Sequence, residues 1–547
     1  MPQEGPSLRL LALADFTGTG GAKSTRVAID KERFDAVLAS VSPRLLLAVP
    51  NRLGAGPDPL HIELAFQRLA DFGPAAIIER VPALARLRDA GPTPPPPAPS
   101  KPAPASAPPA AVPAPSKAGG GVDSILDLVD GEGSADPRDT ARRLVDGLVP
   151  SRAATGRPAG GAAPSAALDR ALTAQLDAIF DAPAFRALES AWRGLKLLVD
   201  RTDFREAIVL EIVSASVDEA PAAIDALFDG DDVDAVLADY ALDASARDFA
   251  RAEEIAAAAA RAQTPVAIAL APAFFGLDSW RALARARNPV ALFDEPAYAS
   301  WRSLRDREES RWLVLMANRI ALRAAYGSGG ESTRGLPYEQ ARDGGLLGSP
   351  VWALGSALVR AFARTGACLQ FTGAQHGLVA DLPLLPTGPD DKPAPVEGVF
   401  SNERREDLEK SGLSAVQLYQ RDIAFLGAVR SFRRPTRYPD AEATADAAQQ
   451  ITLAYQMYAS RLVKFLGRLL PELSGLDGPE AVKRELRSSV LRFVSTGGKP
   501  LAADHVGIEV RPNPDDGALY DVSLRVLPEV TIAGRPANLL MSFAMRR

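Results

Sequence analysis

The stretch Leu188-Glu-Ser-Ala-Trp-Arg-Gly-Leu-Lys-Leu-Leu-Val-Asp-Arg-Thr-Asp-Phe-Arg205 places Leu188, Trp192, Leu195 and Val199 at i, i+4, i+7 and i+11. That spacing makes one apolar stripe along a helix. Arg193 and Lys196 fall off the stripe. The helix is preceded by Leu168–Phe180 and followed by Ala207-Ile-Val-Leu-Glu-Ile-Val213, a short β-branched run of strand character. Helix running into strand is scaffold, and an α/β chain follows from it.

Working downstream, the sequence predicts an acidic helix over Ser216–Asp239 and an alanine-rich helix over Ala244–Ala262. Strands are predicted at Pro265–Leu270 and Leu369–Phe371, with an apolar run at Trp312–Met316. Pro350–Arg364 and Ala445–Leu470 read as helices. The C-terminal part changes period. Gly507–Val510, Tyr520–Val526 and Asn538–Phe543 alternate like strands, with a turn at Pro512–Gly517.

Upstream, residues 1–90 read as a small α/β unit. Leu8–Ala14 is a buried strand, Arg33–Ser40 a helix, Arg44–Val49 a second strand and Ala75–Asp89 a helix. Residues 91–121 are almost entirely Pro, Ala, Ser and Gly, the composition of an extended linker able to reach on the order of 90 Å. In residues 122–166, Val122–Asp130 carries Ile125, Leu126, Leu128 and Val129 on one apolar face. It reads either as a helix folded onto its own domain or as a groove-binding motif.

The chain has 547 residues with a formal net charge of -6, 47% hydrophobic and 24% charged. An acidic balance of this kind argues against general nucleic-acid binding. One cysteine, Cys368, rules out an intrachain disulfide and a zinc site of the usual Cys/His spacing. No cofactor, metal or catalytic constellation is expected. The start of the sequence lacks a secretory pattern, and no apolar run approaches membrane-spanning length, so a cytoplasmic protein without membrane insertion is expected.

Gly18-Thr-Gly-Gly-Ala-Lys-Ser-Thr25 follows a strand and imitates a phosphate-binding loop. The P-loop pattern requires glycine where Thr17 and Ala22 stand. The next residues, Arg26–Asp30, alternate like a strand. A nucleotide hydrolase built on this loop is therefore the weakest alternative.

The wording of 188–206 resembles the large subunit of the type VI secretion contractile sheath, of the TssC or VipB type. So do Ala273–Ser279, Trp301–Asp306 with Arg319–Gly327, Gly373–Gly377 with Asp381–Pro383, and Pro395–Glu397 with Glu406–Leu408 and Ser411–Leu413. These cover roughly 165–547 in family order. Residues Ile29–Leu53 and His61–Leu84 resemble the small subunit, of the TssB or VipA type. The resemblance implies a small–large fusion. Its fold would be a mixed α/β (α+β) sheath-type multi-domain protein: 1–90 a small unit, 91–121 a linker, 122–166 a short helix and flexible segment, and 167–547 a large domain ending in antiparallel strands.

It further implies a non-enzymatic structural subunit that self-associates into a helical sheath around an inner tube protein, on a baseplate. A ClpV-type AAA+ ATPase would take hold of the helix containing Ile125, Leu126, Leu128 and Val129. Strand exchange between protomers would use Leu539, Leu540, Met541 and Phe543. Trp301, Arg302, Arg305, Arg319 and Arg323 are interface candidates by resemblance; from sequence alone they also fit a solvated, ion-paired helix face. The resemblance implies an arm before the small subunit's first strand and a further helix after Leu87; the sequence shows about seven residues before Leu8 and the Pro-rich stretch at 91–121. An accessory protein that caps or adapts the sheath without polymerising is the alternative.

Overall fold

The structure is a computed structural model. It describes residues 7–21, 23–53, 56–89, 164–227, 233–341, 343–387, 392–476, 478–495 and 502–546. The Val122–Asp130 segment lies outside the described residues.

Its strands are β1 Leu8–Ala14, β2 Lys23–Ile29, β3 Arg44–Val49, β4 Leu60–Ala65, β5 Ile208–Ser214, β6 Ala235–Leu242, β7 Val266–Leu270, β8 Leu313–Ala317 and β9 Ile320–Arg323. There follow β10 Leu346–Gly348, β11 Leu378–Val379, β12 Leu413–Gln420, β13 Ile423–Leu426, β14 Val506–Pro512, β15 Leu519–Val526, β16 Thr531–Ile532, β17 Arg535–Pro536 and β18 Leu539–Arg546.

β1 is a near-continuous apolar run because it is buried on both faces. It lies inside a nine-stranded sheet of order β11-β13-β12-β8-β7-β6-β1-β5-β2. The inner strands β5, β1, β6, β7, β8 and β12 are parallel, and the edge strands β2, β13 and β11 are antiparallel. The pleat sends Leu8, Leu10, Ala12 and Ala14 into one core and Leu11 and Leu13 into the other. Helices Phe34–Val41, Pro74–Arg80, Pro183–Arg201, Val351–Thr365 and Leu453–Leu473 supply the first core. Helices Ala220–Asp225, Ala246–Arg261, Trp280–Arg285 and Ala299–Asp306 supply the second.

The sequence divides residues 1–90 from 167–547 and leaves open whether the two pack together. In the structure Met1–Asp89 and Asp169–Arg547 form one compact unit. The cause is the register: β1 pairs with β5 from Leu8↔Ile208 to Ala14↔Ser214, and with β6 from Leu10↔Ala235 to Leu13↔Ala238. Arg9 N donates to the Asp234 carboxylate at 2.8 Å, and Arg461 from a distant helix reaches the same carboxylate at 3.1 Å.

Other expectations change for local reasons. The predicted helix 216–239 is a short helix, Ala220–Asp225, and then β6; Ala235, Val236, Leu237 and Ala238 are buried on both faces of the sheet, a demand that overrides their helical propensity. Ala75–Asp89 is split at Val81, because Pro82 has no N–H to continue the first helix. The long helix predicted at 445–470 breaks at Ile451–Thr452, where the Thr452 hydroxyl caps Leu453–Leu473 by accepting from Tyr455 N at 3.3 Å. Leu369–Phe371 is irregular rather than a strand.

Helix Pro183–Arg201 buries Leu188, Trp192, Leu195 and Val199, as the stripe predicts. Trp192 faces the N-terminal segment. Its ring lies 5.1 Å from that of Phe16 and 5.9 Å from that of Phe34, and its Nε1 donates to the Phe16 carbonyl at 3.1 Å. Around it, Phe66 and Phe72 stack at 4.0 Å and meet Phe185 edge-on. On the same helix Gly194 lies under Trp352, where an added Cβ would stand 2.2 Å from the indole.

Gly194→Ala is therefore expected to cost about 1–3 kcal/mol by overpacking, read as a lower denaturant midpoint. Trp192→Ala is expected to cost about 3–5 kcal/mol. A chain starting at residue 164 lacks a central strand, so it should be insoluble alone and recovered as a soluble complex on co-expression with residues 1–89.

Candidate assembly site

Two places in the unit carry unusual chemistry, and a third carries exposed backbone. The first is a buried ion cluster on the inward side of helix Pro183–Arg201. Glu189 is fully buried and accepts from Arg323 Nε at 2.9 Å and Arg193 Nε at 2.7 Å. Arg323 also donates to Gln340 Oε1 at 3.1 Å and to the Ala324 carbonyl at 2.7 Å, and lies 4.0 Å over the Tyr326 ring. Burial works to raise the Glu189 pKa, but the two guanidiniums outweigh it and hold it below the ordinary glutamate value.

The second is Asp239, at a break in the β6–β7 register. It accepts from Trp352 Nε1 at 3.0 Å. Burial pushes its pKa up to about 6, against the lowering effect of the hydrogen bonds from Trp352 and Ser349.

The loop after β1 binds its own anion. The Asp15 carboxylate accepts from Thr17 N at 3.1 Å, Thr17 Oγ1 at 2.7 Å, Gly18 N at 2.9 Å and Gly20 N at 2.9 Å. These are the amides a phosphate would need. Gly18 and Gly20 are glycines because φ is +75° and +67° there. Lys23 opens a strand, where a P-loop lysine would open a helix.

The arginine group resolves into intrachain anchors. Trp301 is buried and packs 4.0 Å from Phe432. Arg302 donates to the Phe293 and Glu295 carbonyls at 2.5 and 2.9 Å. Arg305 donates to the Phe432 and Lys410 carbonyls at 3.3 and 3.4 Å. Arg319 pairs with buried Glu397 at 2.6 Å, and Glu397 also accepts from Trp280 N at 3.2 Å. Of the interface candidates, Trp301 and Arg323 are 2% and 1% exposed within the single chain. Arg302, Arg305 and Arg319 keep partial exposure but already have partners. The sequence placed Glu189, Gln340 and Asp239 at no site; the only signal was Glu189 four residues before Arg193.

The third place is the C-terminal sheet, of order β14-β15-β18. β15 pairs antiparallel with β14 from Val506↔Val526 to Pro512↔Tyr520, and with β18 from Leu519↔Arg546 to Val526↔Leu539. Leu539 is buried, Leu540 is 63% exposed, and Met541 and Phe543 are half-buried against the core. All four strand-exchange candidates thus fall on an edge strand.

A model of the VipB-type (EvpB) tail sheath N-terminal domain matches residues 164–229 and 226–433, and a model of the type VI secretion system VipA family matches residues 6–91. The chain belongs to the type VI secretion sheath family. It carries a VipA-type and a VipB-type region in one polypeptide. The type VI secretion system sheath protein TssC1 of Pseudomonas aeruginosa is 28% identical over 420 residues, covering 68% of this chain and 83% of that protein. TssB1 of the same organism is 34% identical over 84 residues, covering 14% of this chain and 48% of TssB1. The chain thus spans about half the length of its small-subunit relative. Among solved structures, a sheath tail protein from Desulfitobacterium hafniense has a TM-score of 0.34 at 12% identity, covering 60% of each chain. The contracted sheath of the extracellular contractile injection system PVC has a TM-score of 0.34 at 8% identity, covering 65% of this chain and 77% of that one.

Two outcomes test the buried charges. Glu189→Gln leaves Arg323 buried without a counter-charge and is expected to destabilise by about 3–5 kcal/mol. The double variant Glu189→Leu/Arg323→Met should recover most of that loss in urea melts. For Asp239, a folded pKa above the unfolded value means the folded state holds the proton more tightly. Its stabilisation is complete below about pH 4 and lost as pH rises through about 6. Asp239→Asn should therefore gain about 1–3 kcal/mol at pH 7.5, and the gain should vanish near pH 4.

Proposed function

We infer that this chain is a structural subunit of a type VI contractile sheath, in which one polypeptide supplies both the small and the large component. The observation that carries the reading is β1. The VipA-type region contributes it to the middle of the VipB-type sheet, with Trp192 closing over Phe16. A pair of sheath components held in this way has fixed one-to-one stoichiometry.

The work of such a subunit is packing rather than catalysis. Copies associate into a helical polymer around an inner tube protein on a baseplate, in the cytoplasm. Contraction is a repacking of interfaces between two arrangements. β18 offers a strand edge of the kind that pairs with another chain. Among the described residues no helix is long and apolar enough to cross a membrane. A ClpV-type ATPase is the fitting partner for the apolar face Ile125, Leu126, Leu128 and Val129. An accessory that caps the sheath without polymerising is the second reading.

Negative-stain electron microscopy of the full-length protein, alone and with a tube-forming partner, separates the two. Hollow tubes with cogwheel cross-sections are expected; monomers or small discrete particles under both conditions would leave the accessory reading. Leu126→Asp/Val129→Asp is expected to weaken pull-down of a ClpV-type N-terminal domain at least tenfold while tubes still form.

A further inference from the structure

Between β9 and β10 the chain runs from Ala324 to Gly345 with no helix or strand among its described residues. A connection of this length without secondary structure is uncommon in a compact unit and is usually functional. Its ends are brought together by the pairing of β9 with β10. Its interior is fastened at successive points. Gln340 Oε1 accepts from Arg323 Nη1 at 3.1 Å and from Tyr326 N at 3.2 Å, and Gln340 N donates to the Tyr326 carbonyl at 2.9 Å. The Tyr326 and Tyr338 rings lie 5.2 and 5.9 Å from that of Phe180, and the Tyr326 hydroxyl donates to the Phe72 carbonyl at 3.5 Å. The Tyr338 hydroxyl donates to Asp177 Oδ1 at 2.7 Å.

Phe180 and Asp177 belong to helix Pro164–Phe180. Three residues apart, they share the side of that helix that meets the strap. Gln175 stands two residues before Asp177, and residues two apart on a helix do not face the same way. Its side chain turns instead to the small region. Gln175 is fully buried; its Oε1 accepts from Arg52 N at 2.7 Å and its Nε2 donates to the Pro50 carbonyl at 3.2 Å. One side of the helix thus covers residues 50–52, and the other is held by the strap. Leu176, Ile179 and Phe180 fill the core between.

We propose that helix Pro164–Phe180 is a lid over residues 50–52, and that Tyr338, carried by the strap at 324–345, is the catch that holds it shut. Two sets of contacts keep residues 1–89 in place, and they are separable. β1 is held by β5 and β6, whereas the lid is held by Gln175 on one side and by Tyr338 on the other. Releasing Tyr338 from Asp177 frees the lid while the β1 ladder stays intact. The lid is therefore a local opening unit of lower stability than the sheet it covers. Closing it after β1 is seated pairs the Pro50 carbonyl and the Arg52 amide, which would otherwise be buried without partners. This device goes beyond the sheath reading and stands whether or not the chain polymerises.

Hydrogen exchange read by mass spectrometry on the full-length chain tests it. In the wild type, the amides of 172–180 and of Arg52 are expected to open together, more readily than those of β1 and β5. Tyr338→Phe keeps the ring against Phe180 and removes the hydrogen bond to a carboxylate. It should speed exchange at 172–180 and at Arg52 by about 10- to 100-fold, and leave β1, β5 and the C-terminal sheet unchanged. Asp177→Ala should match it, and Tyr338→Phe/Asp177→Ala should go no further than either single variant. Asp177→Asn keeps an acceptor and should restore most of the protection. Lid amides that exchange only together with β1 in the wild type overturn the proposal, and that comparison holds even where a variant does not fold. Additive effects in the double variant, no change at 172–180, or a rise spread evenly over the whole unit overturn it as well.

Discussion

The fold depends on one strand being buried on both faces. β1 is seven residues long and supplies side chains to both cores of the nine-stranded sheet. Its parallel neighbours β5 and β6 come from a part of the chain some two hundred residues away. A parallel neighbour needs a crossover connection, and here residues 90–163 lie within it. The N-terminal segment is therefore a missing layer of the large region, and the two have one hydrophobic core between them.

Trp192 makes that dependence specific. Apolar burial alone would tolerate several large side chains, but the indole also satisfies the Phe16 carbonyl at the point where β1 leaves the sheet. The helix carrying it is held from the other side by Gly194 beneath Trp352, and Trp352 in turn reaches Asp239 on β6. Asp239, Trp352, Gly194, Trp192 and Phe16 thus form a chain of contacts from β6 across two helices to the end of β1. Glu189, one helical turn before Arg193, adds a buried charge that Arg193 meets from the same helix and Arg323 meets from β9. A buried pair of this kind adds little net stability over a well-packed apolar replacement, while removing one partner strands the other charge.

The C-terminal sheet obeys the opposite rule. Where the main sheet finishes on antiparallel strands at both ends, the small sheet has, among the described residues, two long unpaired edges and half-covered apolar residues. An exposed strand edge offers backbone hydrogen bonds that any extended segment could use, with alternate side chains setting which segment fits.

Short apolar runs identified β1, β3, β5 and β7, and the spacing of apolar residues identified the helix of Trp192 and the C-terminal strands. The family was legible too, in short motifs around Trp192, Trp301 and Gly373. β6 was misread because an Ala/Leu-rich run suits a helix as well as a strand covered on both faces, and only the neighbouring strands decide between them. The arginines around Trp301 could not be sorted into surface and core, since arginine looks the same in sequence whether it faces water or a buried glutamate. The unity of residues 1–89 and 169–547 was invisible for the same reason. A strand's sequence records that it is buried, but which strands bury it is settled by hydrogen-bond register across long sequence separations, and that exists only in the folded chain.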